Sequence, residues 1–220
     1  MTITYHGHAC FRLKGKTGTV VFDPYSEMVG WPMPSLSADV VIASHDHPDH
    51  NNVSAIRGTA RREKPFIITD AGEYEVGGIS VFSVPTWHDD QQGVLRGANL
   101  VSTVLIDDIR ITHVGDLGHT FTPEQQEEIG ETDVLIVPVG GVYSLDPEAA
   151  VKVIHMVEPS FVIPMHYRTD KHDPKLFSEL KTLQDFLKEY SVEVSPQPQL
   201  EVAPERLPEE TEVVVLTEQV

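Results

Sequence analysis

The 220-residue sequence predicts a mixed α/β fold built from two packed β-sheets flanked by helices. In its first half, short apolar runs bounded by turn residues follow one another in hairpin fashion. In its second half, such runs alternate with helical segments. A purely parallel doubly wound sheet alternates strand and helix from its start, so this order favours two sheets. The length suits one domain over 1–220, large enough to bury a full core.

Strands are expected over 2–5, 10–13, 19–22, 40–43, 66–69 and 79–84, then over 100–106, 109–113, 134–139 and 161–165. Gly15 to Gly18 and Asp107-Asp108 supply the turn chemistry of two tight hairpins. Helices are expected over 52–62, 123–129, 147–157 and 174–190. The last three open with Pro behind Thr122, Asp146 or Asp173, an N-cap followed by the residue whose fixed φ suits the first helical position. Residues 191–220 read as an extension, irregular through its four prolines and many glutamates, with 213–216 returning as a strand. A solvated tail has no use for the apolar run Val213-Val214-Val215-Leu216.

Composition narrows the function. The chain is 40% hydrophobic and 23% charged, as in ordinary globular proteins. Its 34 acids against 16 bases give a net charge of −18, which argues against nucleic acid, since Lys and Arg supply most of such affinity. The basic stretch Arg57, Arg61, Arg62, Lys64 reads as a solvated helix face. One cysteine, Cys10, permits no internal disulfide and reads as a buried thiol in a reducing compartment. No basic segment leads into an apolar stretch at the N-terminus, and no apolar run approaches the ~20 residues that span a bilayer. A cytoplasmic protein with no membrane partner is expected.

Chemistry concentrates at His45-Asp46-His47-Pro48-Asp49-His50, directly after the strand-like run Val40-Val41-Ile42-Ala43. Imidazole and carboxylate are the ligands Zn²⁺ takes at ~2.0–2.2 Å. His45 and His47, two apart on an extended segment, face one way, and Pro48 bends the chain so that Asp49 and His50 turn toward a second ion. Three further candidates also follow apolar strands: His88, Asp116 and His166. Ligands collect at the carboxyl ends of strands in such sheets. The set divides into His45, His47 and His88 for one ion and Asp49, His50 and His166 for a second. Asp116 is then placed to bridge ions ~3.5–4 Å apart.

These residues resemble the metallo-β-lactamase superfamily, whose signature is His-x-His-x-Asp-His followed by a separate His, Asp and His. Within it the chain is similar to small Zn-dependent hydrolase-like proteins related to L-ascorbate-6-phosphate lactonase. The resembling stretches are 7–11, 44–52, 87–99, 113–119, 137–141 and 163–167, spread over the chain to about residue 190. The resemblance implies an αββα sandwich with metals at one edge, and the ligand assignment just given. Gly7-His8 departs from the β-lactamases and matches the lactonase-like and phosphodiesterase-like branches, which points away from antibiotic degradation.

The expected function is metal-dependent hydrolysis by water activated at two divalent transition metals, Zn²⁺ first, with Mn²⁺ and Fe²⁺ as alternatives. The substrate is a small molecule, open to an anionic one: a phosphodiester, a phosphate ester or a lactone. Asp49 both ligates and orients the attacking oxygen, and His119, His8 or water donates the leaving-group proton. His8 also reads as a strand-end hydrogen bonder, and His119 as a surface turn. Asp23 reads as a turn starter before Pro24, with orientation of a ligand imidazole as the alternative. Tyr167 and Arg168 are candidates for an anionic group, Asp89 or Asp90 for the place of His88, and His6, His113, His155 and His172 read as structural or exposed. Two other classes compete: an iron-dependent oxidoreductase of the sulfur dioxygenase kind, and a metal-binding protein without catalysis.

Overall fold

The computed structural model describes residues 1–219. In chain order, β1 (Thr2–Tyr5), β2 (Phe11–Lys14), β3 (Thr19–Phe22), β4 (Val40–Ile42) and β5 (Phe66–Ile68) come first. They are followed by β6 (Gly72–Val76), β7 (Ile79–Trp87), β8 (Ala98–Ile106), β9 (Ile109–His113), α1 (Pro123–Ile129), β10 (Val134–Pro138) and α2 (Pro147–Val157). The last elements are β11 (Phe161–Met165), α3 (Pro174–Phe177), α4 (Leu183–Glu189), β12 (Leu200–Glu201) and β13 (Glu212–Val213). One sheet has the order β12-β1-β2-β3-β4-β5, the other β13-β11-β10-β9-β8-β7-β6. Both are mixed. β3, β4 and β5 run parallel in the first, and β9, β10, β11 and β13 run parallel in the second.

The sheets face each other through one apolar core. Alternation on β3 and β4 shows how: Val20, Phe22, Val40 and Ile42 point into that core, whereas Val21 and Val41 point to a second cluster with Cys10, Tyr25, Trp31 and Phe177. Both faces of these strands are buried, which is why their sequences run apolar without interruption. α1 and α2 pack on the seven-stranded sheet, and α4 on α2. Thr122 caps α1 in a reciprocal box with Gln125, and the Asp146 carboxylate accepts from the Ala149 amide at the start of α2. The predicted hairpins close as expected, with Asp107 and Asp108 both at positive φ (52° and 61°), as a type I′ turn demands.

Three expectations change. Residues 52–62 form a single 3₁₀ turn, Val53–Ala55, because the Arg57 backbone is taken up by pairing with 36–38 (Arg57 N–H to the Leu36 carbonyl, 3.0 Å). Arg57, Arg61, Arg62 and Lys64 therefore form no helix face; Arg61 reaches across to the Lys16 carbonyl at 2.6 Å. The 174–190 helix breaks into α3 and α4, since 178–181 turn to place the Lys181 amide on Gly140 and its carbonyl on Arg168. In the extension, Leu200–Glu201 pairs with β1 within the stretch expected to be irregular, and of 213–216 only Val213 is strand (in Glu212–Val213), though 214–216 stay buried and hydrogen-bonded to Val162 and Gln197. Val220, the end of the predicted 191–220 extension, lies outside the described residues. No helix among the described residues is long and apolar enough to cross a membrane.

Candidate metal centre

Strand ends from both sheets deliver the predicted residues to one place. β4 runs into the hexapeptide, β7 ends at Trp87 and hands over His88, β9 leads through Gly115 to Asp116, and β11 ends just before His166. Ligand atoms of His45, His47 and His88 lie within 4.8 Å of one another, as do those of His8, Asp49, His50 and His166, and those of His45, His50 and Asp116. Asp116 Oδ2 stands between the two groups, 3.5 Å from His88 Nε2, 3.4 Å from His50 Nε2 and 3.2 Å from His166 Nε2. The turn that aims Asp116 needs glycine at 115. Its φ is +59°, and a Cβ there would collide with Asn99, whose Oδ1 accepts the Asp116 amide N–H at 2.9 Å.

Hydrogen bonds decide which nitrogen each imidazole offers. Asp23, beyond β3, is fully buried and takes the Ser44 amide on Oδ1 (2.7 Å) and the Ser44 hydroxyl on Oδ2 (2.7 Å). The same Oδ2 accepts from His50 Nδ1 at 2.8 Å, so His50 carries its proton on Nδ1 and turns Nε2 inward. Having given its single proton to Asp23, the Ser44 hydroxyl accepts from His45 Nδ1 at 2.9 Å, and His45 likewise offers Nε2. One carboxylate thus sets two tautomers.

A second chain ends on Asp49. The Thr169 amide donates to His172 Nδ1 at 3.1 Å, which makes Nδ1 an acceptor and puts the proton of neutral His172 on Nε2. That N–H points at His8 Nδ1, 3.2 Å away, and His8 Nε2–H in turn donates to Asp49 Oδ2 at 3.2 Å. Burial keeps both rings neutral: His172 is lowered to about 3 by burial and by His8, and His8 to about 4 by burial and by His166, against the pull of Asp49. The direction of the chain is therefore fixed from Thr169 to Asp49.

The donor set fits divalent metal. His45 Nε2, His50 Nε2, both nitrogens of His166, His88 Nδ1 and Asp116 Oδ1 are buried without a hydrogen-bond partner, a concentration of orphaned polar atoms that a folded protein does not tolerate unless something else satisfies them. Their charge points the same way. Burial raises Asp116, yet His166 and His50 hold it well below the usual carboxylate range, and Asp49 is depressed by His8 and His50 against its burial. Burial alone would lower His50; Asp116, Asp23 and Asp49 instead raise it to about 10, so a positive charge at its Nε2 is favoured, a proton or a metal ion in the proton's place. Two carboxylates, Asp49 and Asp116, face one interior, an arrangement suited to a cation at its centre.

Other candidates stand apart. His119 spends both nitrogens on backbone, Nδ1 on the Thr120 carbonyl (2.8 Å) and Nε2 on the Trp87 amide (3.3 Å). Asp89 spends both oxygens on four backbone amides, those of Gln91, Gly93, Leu95 and Arg96, at 2.7–2.9 Å, so it does not take the place of His88. Arg168 donates to the Ser178 carbonyl at 2.6 Å, and Tyr167 is buried near Tyr5; neither lines the cavity of about 420 Å³ above the cluster. His113 is structural, bonded to the Ala9 carbonyl and stacked on Phe22. Sequence reasoning passed over Ser44 and Arg96, and its reading of His172 as structural or exposed holds in the first sense, though the link to His8 was not foreseen. Ser44 was findable from its place beside the hexapeptide; Arg96 and that link left no signal.

Residues 2–166 match the beta-lactamase superfamily domain. A protein of Archaeoglobus fulgidus described as a metal-dependent hydrolase is 30% identical over 198 residues, which cover 77% of this chain and 84% of that one. A solved structure from Thermotoga maritima, a candidate Zn-dependent hydrolase of the metallo-β-lactamase superfamily, is 37% identical with a TM-score of 0.78 and covers 99% of each chain. Igni18, a metallo hydrolase of Ignicoccus hospitalis, shares the fold at 19% identity and a TM-score of 0.62, covering 92% of this chain and 99% of its own.

Proposed function

The chain belongs to the metallo-β-lactamase superfamily and is a metal-dependent hydrolase, and from that premise we propose a binuclear enzyme acting on a small ester-type substrate. His45, His47 and His88 would hold one ion, Asp49, His50 and His166 the second, and Asp116 both. The observation that carries this reading is the position of Asp116 Oδ2 within 3.5 Å of nitrogens from both groups. Zn²⁺ matches the histidine-rich donors. Bound there, such ions lower the pKa of water from ~15.7 toward ~7 and polarise the bond to be cleaved.

The chain's own residues do the rest. Asp23 and Ser44 hold His50 and His45 with their lone pairs inward, so the site is organised before substrate arrives. Asp49 is held by His8, and the His172–His8 chain keeps that carboxylate from rotating. Neither His8, neutral and spending its one N–H on Asp49, nor His119, turned to the backbone, is free to give the leaving group a proton, so water is the donor that remains, and His8 serves to position Asp49. Phosphodiesters, phosphate monoesters and lactones are the substrates to try. The lone buried Cys10 is in keeping with a reducing, cytoplasmic setting.

Elemental analysis after metal loading tests the centre, with two ions per chain expected. Asp49→Ala should keep the ion held by the three histidines, lose the other, and lower turnover by ~10³-fold or more. Near-full hydrolysis by that variant at unchanged metal content would overturn the assignment.

A further inference from the structure

The cavity over the metal cluster is walled by Met28, Leu95, Leu176 and Phe177 and carries one basic side chain, Arg96. Three of these apolar residues are unusually open for their type: Met28 is 38% exposed, Leu95 61% and Leu176 41%. Large apolar groups gathered around a recess, rather than scattered, mark a surface meant to be covered.

Among the described residues Arg96 is the base stacked on an aromatic ring. Its guanidinium lies over the Tyr143 ring, 5.4 Å from the centroid, and no carboxylate lies within ion-pair distance of it among the described residues. Stacking occupies the flat face of a guanidinium and leaves its in-plane N–H donors free for a carboxylate or phosphate. The Tyr143 hydroxyl donates to the Leu176 carbonyl at 2.8 Å, so the platform beneath Arg96 is tied to the apolar wall. Arg96 is also fixed from its backbone. The Asp89 carboxylate accepts the amides of Leu95 (2.9 Å) and Arg96 (2.7 Å), which holds the apolar contact and the cation at set positions on one turn. Such preorganisation lowers the ordering cost of binding.

We propose that the substrate is a monoanionic amphiphile: an ester whose carboxylate or phosphate is received by Arg96, joined by a short apolar skeleton lying against Met28, Leu95, Leu176 and Phe177 to the bond cleaved over the metals. This rests on the ester-hydrolase reading of the same site. A nucleic-acid strand, with a charge on every nucleotide, would find one arginine at this cavity, in a chain of net charge −18.

The test compares two para-nitrophenyl esters of matched length on the metal-loaded protein, the anionic mono-glutarate and the neutral valerate. The wild type should favour the glutarate by about tenfold or more in kcat/KM, carried by KM, and the preference should fall to about threefold or less in Arg96→Gln. Arg96→Met, which keeps an unbranched stem over Tyr143, should behave the same way, and Arg62→Gln, remote from the cavity, should leave the ratio as in wild type. Absence of the preference in wild type, or its survival in both Arg96 variants, overturns the proposal. Should neither ester turn over, the ester reading fails, and calorimetry with hexanoate decides the inference separately. An affinity about tenfold weaker in Arg96→Gln upholds Arg96 as the anion site; equal affinities refute it.

Discussion

Asp23 satisfies three donors with two oxygens, and two of those donors control the faces that His45 and His50 turn to the proposed metal centre. Asn in its place keeps the volume but offers one acceptor and two unwanted donors, so Ser44 and His50 cannot both be served. Asp23→Asn should fold and yet bind metal ~10–100-fold more weakly, read by chelator competition. Unchanged affinity would mean that strand geometry alone orients the rings. In the sequence, Asp23-Pro24 reads first as a turn, and nothing local corrects it. Its role depends on the register that sets Phe22 beside Ile42, which brings residue 23 against residue 44. The link of His172 to its partner His8, 164 positions away, was equally illegible. The hexapeptide needed no such help, because its donors are neighbours in the chain.

Elements were legible where a local rule sufficed. Pro behind a capping residue marked α1 and α2 at their observed bounds, and apolar runs marked the buried strands to within a few residues. β6 was missed because Glu73 and Glu75 face solvent on an edge strand and only Val76 is buried, although Gly77-Gly78, both at positive φ, announce the hairpin to β7. The 52–62 helix failed for the opposite reason: its pattern was acceptable, but Gly58 lies against the Arg62 and Glu63 backbone, where a regular helix leaves no such packing. The 88–97 loop has no regular structure at all and is built on Asp89. Burial would raise that carboxyl, yet four amides hold it below its usual range. Asp89→Ala should release the turn carrying Leu95 and Arg96, raising KM by about tenfold with metal content intact. Limited proteolysis offers a direct check: new cleavage within 90–97 is expected, and a protected loop with unchanged KM would remove Asp89 from this role.

At the scale of the whole molecule, the two-sheet architecture followed from the order of hairpins and helices, and the meeting of distant strand ends was legible because each candidate came just after an apolar run. What the sequence withheld was the interior's protonation. His6, His113 and His172, none of them a proposed ligand, are all buried, and burial lowers each of them, His172 to about 3. Unfolded, each titrates near 6.5. Below that pH the unfolded chain takes up protons that the folded chain refuses, so stability falls on acidification from about pH 6.5 toward the folded pKa and is untouched well above it. A group lowered to about 3 costs roughly 1.4 kcal/mol between pH 7.5 and 5.5. His172→Gln removes that one share. Its stability deficit against wild type, measured by urea unfolding at equal metal loading, should therefore narrow by about 1.4 kcal/mol over the same interval. A deficit that widens instead would mean that His172 is charged in the folded protein, and the chain running from Thr169 through His8 to Asp49 would have to be reversed.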